Sequence, residues 1–305
     1  MIMLRQMAIL FIIMMIGLLA NKIGILTKEV SKKISGLVVN VTNPCFIVSS
    51  VLNGTESING SNLVTMAIIA VAMYACLMLL SIFVTSILCI PLTSRGTYKA
   101  MLVFGNIGFM GFPIVSGLYG NEALLYAAVF MLPYNVLIYS YGVRVIKSEQ
   151  EDNDGFSLKN VINPGVIAAV VAIILYLTGL RMPYIVSEPI KMVSNITAPL
   201  SMMVIGASFA SVKLKELFCD YKLIIFSVVK LMLIPIVGVV IVKLFVEDSC
   251  MQGIVLVMLG TPVGSMVPML ASEYGGDCEL SSRGVAVSSI LSIATLSILF
   301  IILGC

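Results

Sequence analysis

The polar positions of this chain are few and clustered, and between them lie ten apolar stretches, at approximately 7–20, 34–52, 63–90, 98–118, 122–146, 161–179, 187–210, 221–246, 251–273 and 279–303. Each is near the roughly 20 mostly apolar residues a helix needs to cross a bilayer. The first is short and extends naturally through Ile25, while the third and eighth are long enough to tilt. Connectors are brief, and only residues 147–160, with Glu149, Glu151, Asp152 and Asp154, read as a linker. The pattern predicts an all-α polytopic membrane protein of ten transmembrane helices: a first five-helix unit at 1–146, a cytoplasmic linker at 147–160 and a second five-helix unit at 161–305.

Two of the spans carry residues that weaken or break helices. The fourth contains Gly105-Asn106-Ile107-Gly108-Phe109-Met110-Gly111-Phe112-Pro113, and the ninth contains Gly260-Thr261-Pro262-Val263-Gly264-Ser265-Met266-Val267-Pro268. Glycine exposes backbone and proline removes a donor, and in lipid such backbone survives only where it is buried in protein or lines a cavity. The runs are 155 residues apart, and the same offset relates Gly24 to Gly179, Asn40-Val41-Thr42-Asn43-Pro44 to Asn195-Ile196-Thr197-Ala198-Pro199, and Tyr119-Gly120 to Tyr274-Gly275. With five spans per half, the second half must enter the membrane from the opposite face. The expected architecture is a 5+5 inverted repeat with two crossing broken helices.

Charge sharpens this picture. Charged residues make up 11% of the 305-residue chain, against roughly 25% in soluble proteins, too few to cover a water-soluble body. Histidine is absent, which excludes His-based metal sites and His general-base chemistry. The seven cysteines lie mostly within apolar runs without metal-ligand spacing. The N-terminal apolar run lacks a convincing cleavage site and reads as a retained first helix. Lys22, Lys28, Lys32, Lys33, Arg95, Lys99, Arg144, Lys147, Lys159, Lys213, Lys215, Lys222 and Arg283 fall on alternate connectors, and only Arg5, Arg181 and Lys191 on the opposite set. By the positive-inside rule the richer set is cytoplasmic and both termini are extracytoplasmic, in a cell inner (plasma) membrane.

Candidate chemistry follows from the interruptions. Asn106, Gly108, Gly111 and Pro113 would break the fourth span near mid-membrane, and Thr261, Pro262, Gly264, Ser265 and Pro268 the ninth. If the broken helices cross, the helix N-termini after the breaks offer unpaired N–H groups and partial positive charge to an anion, with hydrogen bonds from Asn106, Thr261 and Ser265. The competing reading is that Gly and Pro merely permit kinks and close packing. Asn40, Asn43 and Pro44, with Asn195, Thr197 and Pro199, form a second repeated polar pair that either binds backbone freed by proline or faces the path. Lys230 lies about 13 Å along its helix from Lys222, at 1.5 Å per residue. It either faces a cavity, where it attracts an anion or changes protonation, or snorkels. Asn135 sits mid-span beside Pro133, suited equally to an inter-helix hydrogen bond and a substrate contact. Glu122, Glu273 and Asp277 lie at helix ends, and Glu273 is the acidic candidate for a gate.

The run from Asn106 through Met110, Gly111, Pro113 and Gly117 to Tyr119-Gly120 resembles the fourth-helix crossover of the auxin efflux carrier family, which includes plant PIN carriers and bacterial malate or malonate permeases. The run from Pro262 and Gly264 through Ala271, Glu273, Tyr274 and Gly275 to Ser288 is similar to its ninth-helix crossover. The resemblance covers essentially the whole chain. It implies a fold like that of bile-acid sodium symporters, with spans 1, 2, 6 and 7 as a dimerising scaffold and spans 3–5 and 8–10 as a mobile transport domain. It also implies elevator-type alternating access, an organic anion at the crossover, and contacts from Asn106 and the backbone around Pro113 and Pro262. The linker here, about 14 residues, is far shorter than the plant carriers' cytoplasmic loop, so the bacterial permeases are the closer likeness.

The expectation is therefore a secondary carrier of mono- or dicarboxylates in the lipid bilayer, without a cofactor, compatible with coupling to Na+ or H+, and with no nucleic-acid partner. No Walker-type phosphate loop occurs. An intramembrane enzyme is the rival from another class, since Tyr274-Gly275-Gly276-Asp277 has a loose likeness to an aspartyl intramembrane protease element. A carboxylate dyad needs a second buried Asp, which the spans lack. A passive anion channel is the third reading.

Overall fold

Helix starts are set by side chains that accept the first unpaired N–H groups. Thr27 accepts from Val30, Asp220 from Lys222 and Leu223, Asp248 from Cys250 and Met251, and Asp277 from Leu280. Helix ends are set by glycines in left-handed or related conformations: Gly24 and Gly179 have φ 81° and 63°, Gly120 and Gly275 have φ 83° and 76°. These are two of the pairs separated by 155 residues.

The structure, a computed structural model, describes residues 2–52, 60–147, 164–210 and 220–304. The expected linker at 147–160 lies, beyond Lys147, outside the described residues. In chain order the helices are α1 (Ile2–Lys22), α2 (Lys28–Leu37), α3 (Asn43–Ser49), α4 (Gly60–Ile87), α5 (Leu92–Val103), α6 (Phe112–Tyr119), α7 (Leu124–Val129), α8 (Met131–Leu137), α9 (Val143–Lys147), α10 (Pro164–Thr178), α11 (Tyr184–Asn195), α12 (Thr197–Phe209), α13 (Tyr221–Val228), α14 (Ile234–Lys243), α15 (Ser249–Gly260), α16 (Met266–Tyr274) and α17 (Cys278–Leu303). Several are joined end to end by wide π turns at Val38–Thr42, Ile107–Gly111, Ile138–Gly142 and Val229–Leu233. Pro44, Pro113 and Pro235 each follow such a turn by two residues. Proline has no N–H to give, and a wide turn shifts the ladder by one residue so the helix can continue.

Among the described residues, five helices are long and apolar enough to cross a membrane: Gly60–Ile87, Asn121–Lys147, Tyr184–Ala207, Tyr221–Lys243 and Cys278–Leu303. Shorter apolar helices stand at Ala8–Lys22, Ile107–Tyr119, Pro164–Thr178 and Ser249–Gly260. The protein is an all-helical, multi-pass membrane protein.

The chain forms two compact units. Unit one is Met1–Ala67, Ile107–Leu132 and Ile162–Ser211. Its spine is α1 lying along α12. A methyl on Gly17 would run into the backbone of Met203, and one on Gly206 into the backbone of Met14. Such close approach is how helices adhere in lipid, where burial of apolar surface gives no advantage between them. Here α2 packs on α12, α3 on α10 and α11, and α6 on α1. The opposite side of α1, with Ile9, Phe11, Ile12, Ile16 and Leu19, is exposed and apolar, as a lipid-facing surface must be.

Unit two is Ile68–Asn106, Pro133–Val161 and Val212–Cys305. The long helix α17 packs against α5, α13, α15 and α16, and α9 packs against α5 and α16. The core is aromatic around α5: Tyr98 meets Phe226 edge-on at 5.0 Å, Phe104 meets Tyr134 at 5.6 Å, and Tyr134 meets Tyr74 at 6.3 Å. This cluster surrounds the point where α5 stops.

Candidate functional site

Helix α5 ends at Val103 and α15 at Gly260, both inside unit two, and the chain beyond each end is extended rather than helical. The two extended pieces pair. The Asn106 N–H donates to the Pro262 carbonyl at 2.8 Å and the Gly264 N–H to the Phe104 carbonyl at 2.9 Å, an antiparallel bridge between Gly105 and Val263. Each pairing takes a group that an unbroken helix would have used. In a continued α5, Asn106 would donate to Leu102, and in a continued α15, Gly264 would donate to Gly260. The bridge thus satisfies backbone that burial would otherwise leave unpaired.

Two side chains complete the exchange. The Leu102 carbonyl, released by Asn106, accepts a hydrogen bond from the Lys230 ammonium at 2.9 Å. The Val263 N–H donates to the hydroxyl of Ser288 on α17 at 3.0 Å, while that hydroxyl donates to the Gly284 carbonyl. Lys230 is 3% exposed, so its stem does not carry the charge to the surface. The cation sits one residue inside the carbonyl end of α5, where the helix dipole favours positive charge. The other lysine of that span, Lys243, donates to the Leu303 carbonyl from an exposed position.

Glycine is required at this bridge by space. A methyl on Gly264 would lie 3.0 Å from the Gly105 carbonyl oxygen, 3.1 Å from that of Phe104 and 3.2 Å from the Tyr134 hydroxyl. A methyl on Gly105 would overlap the Thr261 hydroxyl.

Among the residues singled out by sequence, unit two brings together Asn106, Thr261, Pro262 and Gly264. Asn106 is buried, at 4% exposure. The Thr261 hydroxyl donates back to the Met258 carbonyl and closes the end of α15, so its proton is already committed. Ser265 opens α16 without capping it by its side chain, and Pro268 stands third in that helix, half-buried. No side chain caps the first turn of α16, whose Val267 N–H donates to the Gly264 carbonyl at 3.0 Å and whose Pro268 has no N–H to offer. Asn135, on α8, is buried beside Tyr134. Glu273 lies in α16, and its side chain is outside the described residues.

Gly108, Gly111 and Pro113 belong to unit one and do not interrupt a helix. Gly108 and Gly111 lie within the π turn Ile107–Gly111, and Pro113 follows that turn by two residues, so the shifted ladder absorbs its missing N–H. The break in the fourth span is confined to residues 104–106, ahead of these three. Asn43, also in unit one, is 7% exposed, and its amide nitrogen would lie 3.4 Å from a methyl on Gly108.

Sequence reasoning missed Leu102 and Phe104 as acceptors, Ser288 as the bridge's side-chain partner, and Tyr134 as a wall. The only local signal was Ser288, a hydroxyl in an apolar span.

Comparison with known proteins places the chain among membrane transport proteins. A family model described as "Membrane transport protein" matches residues 2–300. An uncharacterized transporter of Methanocaldococcus jannaschii is 25% identical over 302 residues, covering 95% of each chain. A second uncharacterized transporter, from Methanothermobacter thermautotrophicus, is 22% identical over 301 residues, covering 96% of this chain and 95% of the relative.

Proposed function

Because the chain belongs to the membrane transport protein family, that of the auxin efflux carriers, we propose that it is a secondary active carrier of small organic anions such as mono- or dicarboxylates. The observation that carries this reading is the paired break in α5 and α15, with a buried lysine on one helix end and no side-chain cap at the start of α16. Broken helices whose ends meet at a polar point are how transporters expose backbone dipoles to a solute within the membrane. In this reading Asn106 and the first turn of α16 bind the carboxylate, and Ser265 adds a hydroxyl. Lys230 supplies a fixed positive charge behind Asn106. Pro268 shapes the first turn of α16, and Gly108, Gly111 and Pro113 shape the turn that follows Asn106 in the chain. Thr261, Pro262 and Gly264 hold the bridge that positions Asn106.

The remaining architecture is part of the same proposal: ten crossings in two inverted five-helix repeats, both termini extracytoplasmic in the plasma membrane, and a homodimer. Spans 1, 2, 6 and 7 form the scaffold, and spans 3–5 and 8–10 move as an elevator. The 155-residue spacing of the positive-φ glycines, Gly24 to Gly179 and Gly120 to Gly275, supports the repeat. A thermal-unfolding screen of mono- and dicarboxylates on purified protein tests the substrate class. Saturable stabilisation by at least one carboxylate, lost in Asn106→Ala, is expected. Stabilisation by none of them, or stabilisation that Asn106→Ala leaves unchanged, refutes the proposed site.

A further inference from the structure

Unit one contains a second meeting of irregular helices. There α2 packs on α12 while α3 packs on α11, so the two chain segments run antiparallel and cross where 38–43 meets 195–197. Both are irregular at that point. The first carries the π turn Val38–Thr42, and the second stops at Asn195 and restarts at Thr197. Pro44 and Pro199 each withdraw one N–H from the ladder just beyond, so a backbone carbonyl in each segment loses its regular donor.

Four side-chain oxygens on these two segments are buried without a hydrogen-bond partner: Oγ1 of Thr42, Oδ1 of Asn43, Oγ1 of Thr197 and Oγ of Ser201. Their residues are 1%, 7%, 0% and 0% exposed. Thr42 and Thr197 are partners at the 155-residue offset. A buried helical hydroxyl ordinarily bonds back to a carbonyl of the preceding turn, as Ser49, Ser50 and Ser194 do in this same unit. The three hydroxyls here do not, the Asn43 amide oxygen receives no donor, and buried polar atoms are rarely left unsatisfied.

The chemistry of the set narrows what satisfies it. All four atoms are hard, neutral oxygens, and the amide oxygen of Asn43 only accepts. An acceptor-only oxygen disfavours an anion. Among the described residues there is no group of three or more His, Cys, Asp or Glu that could hold a metal, and a site without formal charge is poor for a divalent ion. Hydroxyl, amide and carbonyl oxygens suit a single positive charge, which broken transport helices hold in this manner.

We propose that this crossing in unit one binds a desolvated monovalent alkali cation through Thr42, Asn43, Thr197 and Ser201. The π turn Ile107–Gly111 packs on α12, and Gly108 lies against Asn43. Filling the site steadies the turn that carries Gly108 and Gly111, so cation binding is linked to the state of the solute site. That last step rests on the carrier reading; the site itself does not.

The test is thermal unfolding of the purified full chain in NaCl, KCl, LiCl or choline chloride at equal chloride, without any organic anion. A saturable rise in Tm with an alkali cation and none with choline is expected, growing with the logarithm of concentration above Kd. Thr42→Val and Thr197→Val, which keep shape and remove the oxygen, should abolish the rise, and Thr42→Ser with Thr197→Ser should restore it. Equal Tm in all four salts for the wild type overturns the site. Valine variants that are more stable than wild type in every salt, with the cation shift intact, also overturn it, and reduce the cluster to hydroxyls bridged by water. A cation shift that persists in a protein unable to move organic anions keeps the site and removes the carrier reading.

Discussion

Replacing Gly264 with alanine strikes the bridge directly. The added methyl would stand 3.0 and 3.1 Å from two carbonyl oxygens that are themselves fixed. Relief needs a shift of a few tenths of an ångström, and the groups that must move belong to the 2.8 and 2.9 Å bonds of Asn106 to Pro262 and Gly264 to Phe104. Overpacking of this kind costs about 1–3 kcal/mol, and weakening two buried hydrogen bonds adds roughly 0.5–1.5 kcal/mol each. The expected loss is about 2–6 kcal/mol. Gly108→Ala is the matched control. Its methyl meets one atom at ordinary contact distance, 3.4 Å, and alanine is favoured over glycine within a helical turn by roughly 0.5–1 kcal/mol. Its stability should equal or exceed that of the wild type. The chain has no tryptophan, so thermal unfolding in detergent is best followed by far-ultraviolet circular dichroism. A Gly264→Ala protein as stable as wild type, or a Gly108→Ala protein as damaged as Gly264→Ala, would refute the bridge as the element that holds the break.

Lys230→Met leaves the Leu102 carbonyl buried without its donor, a loss of about 1–3 kcal/mol, and should slow uptake of a carboxylate well beyond what the same loss of stability produces elsewhere in unit two. Ser288→Ala is that comparison: it strips the acceptor from the Val263 N–H at a similar cost of about 1–3 kcal/mol while leaving the charge in place, so its uptake per folded molecule should fall less. Gly206→Ala drives a methyl into the Met14 backbone and should destabilise the protein by about 1–3 kcal/mol through the α1–α12 contact, with denaturation midpoints as the readout.

The helical, membrane-spanning character was legible because apolar length alone decides it, and the span expected at 279–303 is the helix Cys278–Leu303. The place of the break was only partly legible. Gly108, Gly111 and Pro113 looked like breakers, yet they widen one turn and the helix carries on through them to Tyr119. What stops α5 at Val103 is the bridge from Gly105 to Val263, 158 residues further on, and no local preference encodes it. For the same reason Lys230 was ambiguous. Its acceptor, Leu102, lies 128 residues away and is available only because Asn106 has turned elsewhere. The wide turns did leave a trace, in the prolines at 44, 113 and 235, which mark where a ladder must shift by one residue.

Counterflow in proteoliposomes tests the central claim most directly. Vesicles preloaded with an unlabelled carboxylate that stabilises the protein are diluted into the labelled compound, with wild type and Asn106→Ala compared at equal folded content. The account predicts saturable uptake accelerated by the internal substrate in wild type, and its loss by at least tenfold in Asn106→Ala, a step of about 1.4 kcal/mol or more. Uptake without trans-stimulation, as through an open pore, or full counterflow in Asn106→Ala would contradict it.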